Sequence, residues 1–152
     1  MSTILSVIDV IRALSELIET KYPDYQVIDM DVDEDYPRPS YFIDVDDVTT
    51  DWQAQDYLRE SSSLKIVFFA ENRYEGFLEL LDMKNALTLL FNGPLLVTND
   101  VEHQYINLLE TTSELYKDDK VLTFSIQANL IQRVMRDEPD EFMEELNTRG
   151  IN

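Results

Sequence analysis

The chain has 152 residues, a length suited to one hydrophobic core, and an apolar share of 44% with 7 Phe and 8 Tyr supplies the bulk to build it. Its 31 Asp and Glu stand against 12 Lys and Arg, a formal net charge of -19, and no cluster of cations offers a track for phosphates, which argues against nucleic-acid and anionic-membrane binding. The absence of cysteine excludes disulfides and thiolate-held zinc and fits a reducing compartment.

The opening residues MSTILSVID lack the basic region and small-residue cleavage site of a signal peptide, and no apolar run approaches a membrane span, so the chain is expected to stay in the compartment where it is made. From Ser6 to Leu17, Val7, Ile8, Ile11, Leu14, Leu17 and Ile18 recur at helical spacing, and Pro23 predicts that this helix ends near Tyr22. Tyr25 to Val32 alternates as a strand, with Tyr25, Val27 and the aspartates on a wet face and Ile28, Met30 and Val32 opposite. After the Pro37-Arg38-Pro39 loop, Tyr41, Phe42, Ile43, Val45 and Val48 predict a second strand, closed by a Thr49-Thr50-Asp51 turn. A third runs from about Tyr57 to Phe69, its later part buried on both sides.

Asn72 and Glu75 have the spacing of a helix cap with a reciprocal acid, and Phe77, Leu78, Leu81, Leu87, Thr88 and Phe91 continue the helix until Asn92-Gly93-Pro94. Strands are predicted over Leu95–Val101, Glu102–Leu109 and Val121–Val134, with Lys117-Asp118-Asp119-Lys120 as a hairpin turn. Pro139 opens a short last helix carrying Phe142, Met143 and Leu146. These elements give an α+β fold in the order α-β-β-β-α-β-β-β-α, with helices on one face of a mixed or antiparallel sheet. The expected organisation is one domain over residues 1–136 and a helical extension over 137–152.

Searches for chemistry end early. His103 is the single histidine, which removes His-pair metal sites, and no serine sits in a Gly-x-Ser-x-Gly elbow. Gly76, Gly93 and Gly150 are the only glycines, too few and too dispersed for a phosphate-cradling loop. The run Asp29-x-Asp31-x-Asp33 opens like a calcium loop, but Glu34 and Ser40 stand where the sixth-position Gly and twelfth-position Glu belong, so the alternation reads as the solvated face of a strand. Carboxylate pairs for glycoside hydrolysis are unavoidable among so many acids and carry no signal by themselves. Neither a catalytic residue nor a cofactor or metal site is therefore assigned.

Tyr22-Pro23-Asp24-Tyr25 after the first helix and Arg38-Pro39-Ser40-Tyr41-Phe42-Ile43 leading the second strand, set in this order of elements, resemble the phage tail terminator family over nearly the whole chain. The resemblance implies a small structural subunit, not an enzyme, that forms a ring, usually a hexamer, and caps the tail tube of a phage or a phage-tail-like bacteriocin (tailocin). It also implies that the ring stops tube polymerisation and presents a surface to the head connector. Partners would be further copies of the chain, the tube protein, and sheath and neck or connector proteins, with DNA only as passing cargo repelled by an acidic lumen. The location would be the bacterial cytoplasm during assembly and then the particle. Candidate interface residues are Asp33, Glu34, Asp35, Tyr36 and Arg38 of the acidic loop, Trp52 and the Asp51–Glu60 stretch, with Phe142 and Leu146 docking the last helix. Other readings are a head-closure or neck protein of the same particle, and an acidic mimic of DNA that inhibits a basic protein.

Overall fold

The structure is a computed structural model and describes residues 4–28, 37–71 and 76–134. Helix α1 spans Val7–Lys21 and buries Leu14 and Ile18 of the expected stripe together with Val10, which the stripe did not include, while Ile8, which it did, is 64% exposed. Ser6 stands at its N-cap, where the Asp9 carboxylate accepts the Ser6 N–H at 3.0 Å and pairs with Arg12 at 3.3 Å. The helix closes with the Tyr22 N–H on the Ile18 carbonyl at 2.7 Å, immediately before Pro23.

Seven strands follow among the described residues: β1 Gln26–Val27, β2 Ser40–Ala54, β3 Tyr57–Phe69, then, after helix α2 at Phe77–Leu90, β4 Leu95–Thr98, β5 His103–Ile106, β6 Leu109–Tyr116 and β7 Val121–Arg133. A five-stranded mixed sheet has the order β1-β2-β3-β7-β6, parallel only between β1 and β2, and β4-β5 is a separate antiparallel pair. The α+β class is as expected from the sequence.

One face of the large sheet carries Tyr41, Leu64, Ile66, Phe68, Leu122, Phe124, Ile126, Ala128 and Leu130. Buried residues of α1 and Leu80, Met83 and Leu87 of α2 join the same core, so both helices cover this face. Phe68 and Phe91 each meet Phe124 edge-on, at 6.3 and 5.3 Å between ring centroids. Each such ring stabilises the fold by about 1.5–3 kcal/mol through burial. The opposite face is apolar only near one end, where Ile28, Val67 and Phe69 pack with Phe42 and Val121. Elsewhere it presents Ser61, Ser63, Lys65, Ser125, Gln127 and Asn129, all half-buried.

Several local expectations shift. Tyr25 is buried rather than on a wet face with exposed Val27, because it precedes the strand and turns its ring against Phe68. Thr49-Thr50-Asp51 is not a turn: β2 runs on to Ala54, since β-branched threonines suit extended backbone, and the turn falls at Gln55–Asp56. Helix α2 begins at Phe77 with Gly76 at its N-cap and ends without a left-handed glycine, through Phe91 N–H on the Leu87 carbonyl at 2.8 Å. The stretch ahead of the Lys117–Lys120 turn holds an additional strand, β6, whose exposed Glu and Thr residues and half-buried Ser113 give no apolar alternation. The Asp29–Tyr36 part of the expected first strand, the Asn72–Glu75 cap and the helix after Pro139 lie outside the described residues.

Candidate assembly surfaces

Strand β2 defines the longest open surface of the sheet. From Ile43 to Asp51 it pairs only with β3 among the described residues, since β1 reaches no further than Tyr41 in register. Its burial falls along its length, from buried Ser40 and Tyr41 to exposed positions beyond Val45. A register shift between Val45 and Asp47 inserts one extra residue, so that Asp46 and Asp47 both face solvent. Asp44, Asp46, Asp47 and Asp51 give the strand four carboxylates, and Ser40–Ala54 contains no Lys or Arg. Such charges on an edge discourage indiscriminate strand pairing.

The far end of this strand carries Trp52, which stands opposite Leu58 and is 49% exposed. Arg59 binds Asp51 with two bonds of 3.1 Å, and Gln53 donates to the same carboxylate at 2.7 Å. Exposed Tyr57 and Ile131 flank this pair on the outer face. The Asp51–Glu60 stretch is therefore one continuous rim of β2, turn and β3. Arg38 sits at the other end, where its guanidinium donates to the Ala70 and Asp119 carbonyls at 3.1 Å each and lies 5.4 Å from the Phe69 ring centre. It ties the end of β3 to the β6–β7 turn and is far along the strand from Trp52. Asp33, Glu34, Asp35, Tyr36, Phe142 and Leu146 lie outside the described residues.

A surface that sequence reading missed lies on the helical side. Exposed Leu78 and Leu89 of α2, and the cross-strand pair Leu96 and Tyr105, present apolar side chains to solvent. Leu96 and Tyr105 border a groove with Ala13, Leu17, Leu90 and Pro94. The near-continuous apolar composition of α2, FLELLDMKNALTLL, was the available signal: a helix apolar on more than one side has more to cover than one sheet face.

His103 is exposed and stands opposite Thr98 in the β4-β5 pair, with no hydrogen-bonded side-chain partner among the described residues. Among the described residues no group of three or more His, Asp or Glu side chains gathers as a metal site. The groups whose ionisation is strongly displaced are tyrosines of the core. Burial, then the 2.6 Å bond to Glu79, pushes Tyr25 far above the ordinary phenol range, and burial with nearby Glu19 pushes Tyr41 up to about 12. Both shifts favour the neutral phenol and mark packing, not a reactive oxyanion. Among the described residues, no helix is long and apolar enough to cross a membrane.

An acidic α+β subunit with an exposed sheet edge and exposed apolar side chains offers surfaces for association with other proteins. The family model described as phage tail terminator protein matches residues 9–141, and the chain belongs to that family, a family of structural proteins of the phage tail. Comparison with curated proteins gives no match.

Proposed function

We propose that this protein closes the end of a tail tube: copies of the chain assemble into a ring, a hexamer in the simplest case, that caps the tube, stops its polymerisation and offers the attachment surface for the head or neck. The observation that carries this reading is the family match across residues 9–141. The open edge of β2 and the exposed apolar residues of α2 and β4-β5 support it, because they are separate surfaces on which other subunits of the tail can dock. In this reading residues 1–136 are the ring unit and 137–152 a helical extension that docks through Phe142 and Leu146. The loop Asp33–Arg38 and Trp52 contribute to the same contacts. Assembly takes place in the bacterial cytoplasm, on a phage or a tailocin.

The acidity has a defined place in this reading. Exposed carboxylates occur on α1 (Glu16, Glu19), β2, α2 (Glu79, Asp82) and β6 (Glu110, Glu114), so a ring would carry negative charge on several surfaces, its lumen among them. The experiment is electron microscopy and native mass spectrometry of the purified chain with and without tube protein. Rings at tube ends, and shorter tubes as the chain is added during polymerisation, are expected. A chain that stays monomeric and leaves tube ends and lengths unchanged overturns the proposal.

A further inference from the structure

We infer that the open edge of β2, from Ile43 to Asp51, receives an extended segment of another protein in which basic and apolar residues alternate. The inference goes beyond the ring reading and stands on the chemistry of the strand alone.

The backbone supplies the first half of the argument. Over this stretch β2 pairs on one side only among the described residues, so its outward N–H and C=O groups are a template for one more strand. The register supplies the second half. Asp44, Asp47, Thr49 and Asp51 pair with Lys65, Ser63, Ser61 and Arg59, whose side chains stand on the polar outer face. Ile43, Val45, Val48 and Thr50 pair with or adjoin Ile66, Leu64, Ser62 and Glu60 on the helix-covered face. An added strand alternates its own side chains with the same period of two, so cations fall beside the aspartates and apolar side chains beside Val45 and Val48.

Charge identifies the occupant as foreign. A second β2 related by a two-fold would bring Asp44, Asp47 and Asp51 against their own copies, and the other open edge, β6, carries Glu110 and Glu114 with no cation between Leu109 and Tyr116. The chain's own remaining segments do not complement the edge either: residues 29–36 read DMDVDEDY and residues 135–152 read MRDEPDEFMEELNTRGIN. With a net charge of -19, no stretch of this protein offers alternating cations. The same charges that keep copies from pairing through this edge select a basic strand.

The test uses the full chain and a synthetic peptide of alternating Lys and Val, about nine residues long to match the open stretch at strand spacing. Amide hydrogen exchange and NMR shift perturbation are read with and without it. Added protection confined to Asp44–Asp51, binding that weakens in salt, and about tenfold weaker binding to the Asp44→Asn, Asp47→Asn, Asp51→Asn variant are expected. Alternating Glu and Val should not bind. A peptide of the same composition with its lysines and valines in separate blocks distinguishes strand addition from charge attraction: equal binding and equal protection overturn the inference, as does protection that falls elsewhere or no binding at all. Circular dichroism of the triple variant confirms that it is folded, and the triple variant Asp100→Asn, Glu114→Gln, Asp118→Asn serves as a charge-matched control away from the β2 edge. Tube-end capture is measured separately, so loss of one result leaves the other standing.

Discussion

Gln132, near the end of the last strand, and Leu5, ahead of the first helix, exchange two hydrogen bonds: the Leu5 N–H donates to Gln132 Oε1 at 2.8 Å, and Gln132 Nε2 donates to the Leu5 carbonyl at 2.7 Å. The side-chain amide thus pairs like a strand backbone. Glu60 Oε1 accepts the Val7 N–H at 2.6 Å and Asn99 Nδ2 donates to the Ile4 carbonyl at 3.1 Å, so three elements fasten the entry to α1 while Leu5 sits in the core.

Gln132→Ala removes both bonds and leaves partly buried backbone groups to find water, so a loss of about 1–3 kcal/mol in unfolding free energy is expected. Gln132→Glu keeps an acceptor for the Leu5 N–H and loses the donor, and should fall between the two. Denaturant titration gives the energies, and amide exchange should accelerate first at Leu5 and Val7. Uniform acceleration across the sheet would show that the contact is not a local fastening.

Alkali should unfold the protein by ionising its buried phenols. Tyr41 has its folded value pushed up to about 12, mainly by burial, and Tyr25 is displaced further in the same direction by burial and Glu79. The folded state therefore holds these protons where the unfolded chain has released them. Their stabilisation is complete below the ordinary phenol value of about 10 and declines as pH rises through the folded values. Melting temperature followed from neutral pH into alkali should drop beyond about pH 10, and Tyr41→Phe should flatten the drop. An unchanged profile in Tyr41→Phe and in Tyr25→Phe would falsify this account.

The sequence reveals most where burial is periodic and local. Helix α1 is legible because Leu14 and Ile18 fall on an apolar stripe at helical spacing, and β3 and β7 because Leu64, Ile66, Phe68 and Leu122, Phe124, Ile126 alternate. The length of β2 is obscured by Thr49-Thr50-Asp51, whose composition suits a turn while its backbone follows β3. The true turn at Gln55–Asp56 has neither Gly nor Pro to announce it, and β6 exposes most of its residues, so neither leaves a hydrophobic signature. The Leu5–Gln132 pairing spans nearly the whole chain and has no local trace. Among the interface candidates, composition drew notice to Trp52 but gave no hint that Arg38 is bonded to two carbonyls at the opposite end of the sheet.

Phe124 lies at the centre of the core, 1% exposed and edge-on to both Phe68 and Phe91. Phe124→Ala should cost about 3–5 kcal/mol, which for a domain of this size threatens folding itself. Phe124→Leu, retaining most of the volume, should remain folded with a lower melting temperature. By contrast, Arg59→Ala breaks an ion pair whose partners are 41% and 49% exposed, and a change below about 1 kcal/mol is expected.

The exposed apolar residues of α2 separate association from folding. Leu78 and Leu89 are 76% and 77% exposed, so replacing either with Ser removes little buried surface and should shift the stability of the isolated chain by no more than about 0.5 kcal/mol. If this face is covered in the assembled tail, the same changes deprive a neighbour of apolar contact and should lower ring formation or tube-end capture by tenfold or more for a central position, corresponding to about 1.4 kcal/mol. Leu80 and Leu87, fully buried on the same helix, give the opposite pattern: their replacement lowers the melting temperature before assembly is measured. Paired melting curves and tube-end binding on these four variants therefore read the helix from both sides. Normal capture by both Leu78→Ser and Leu89→Ser would move the assembly contacts away from α2, to the rim formed by Asp51–Glu60.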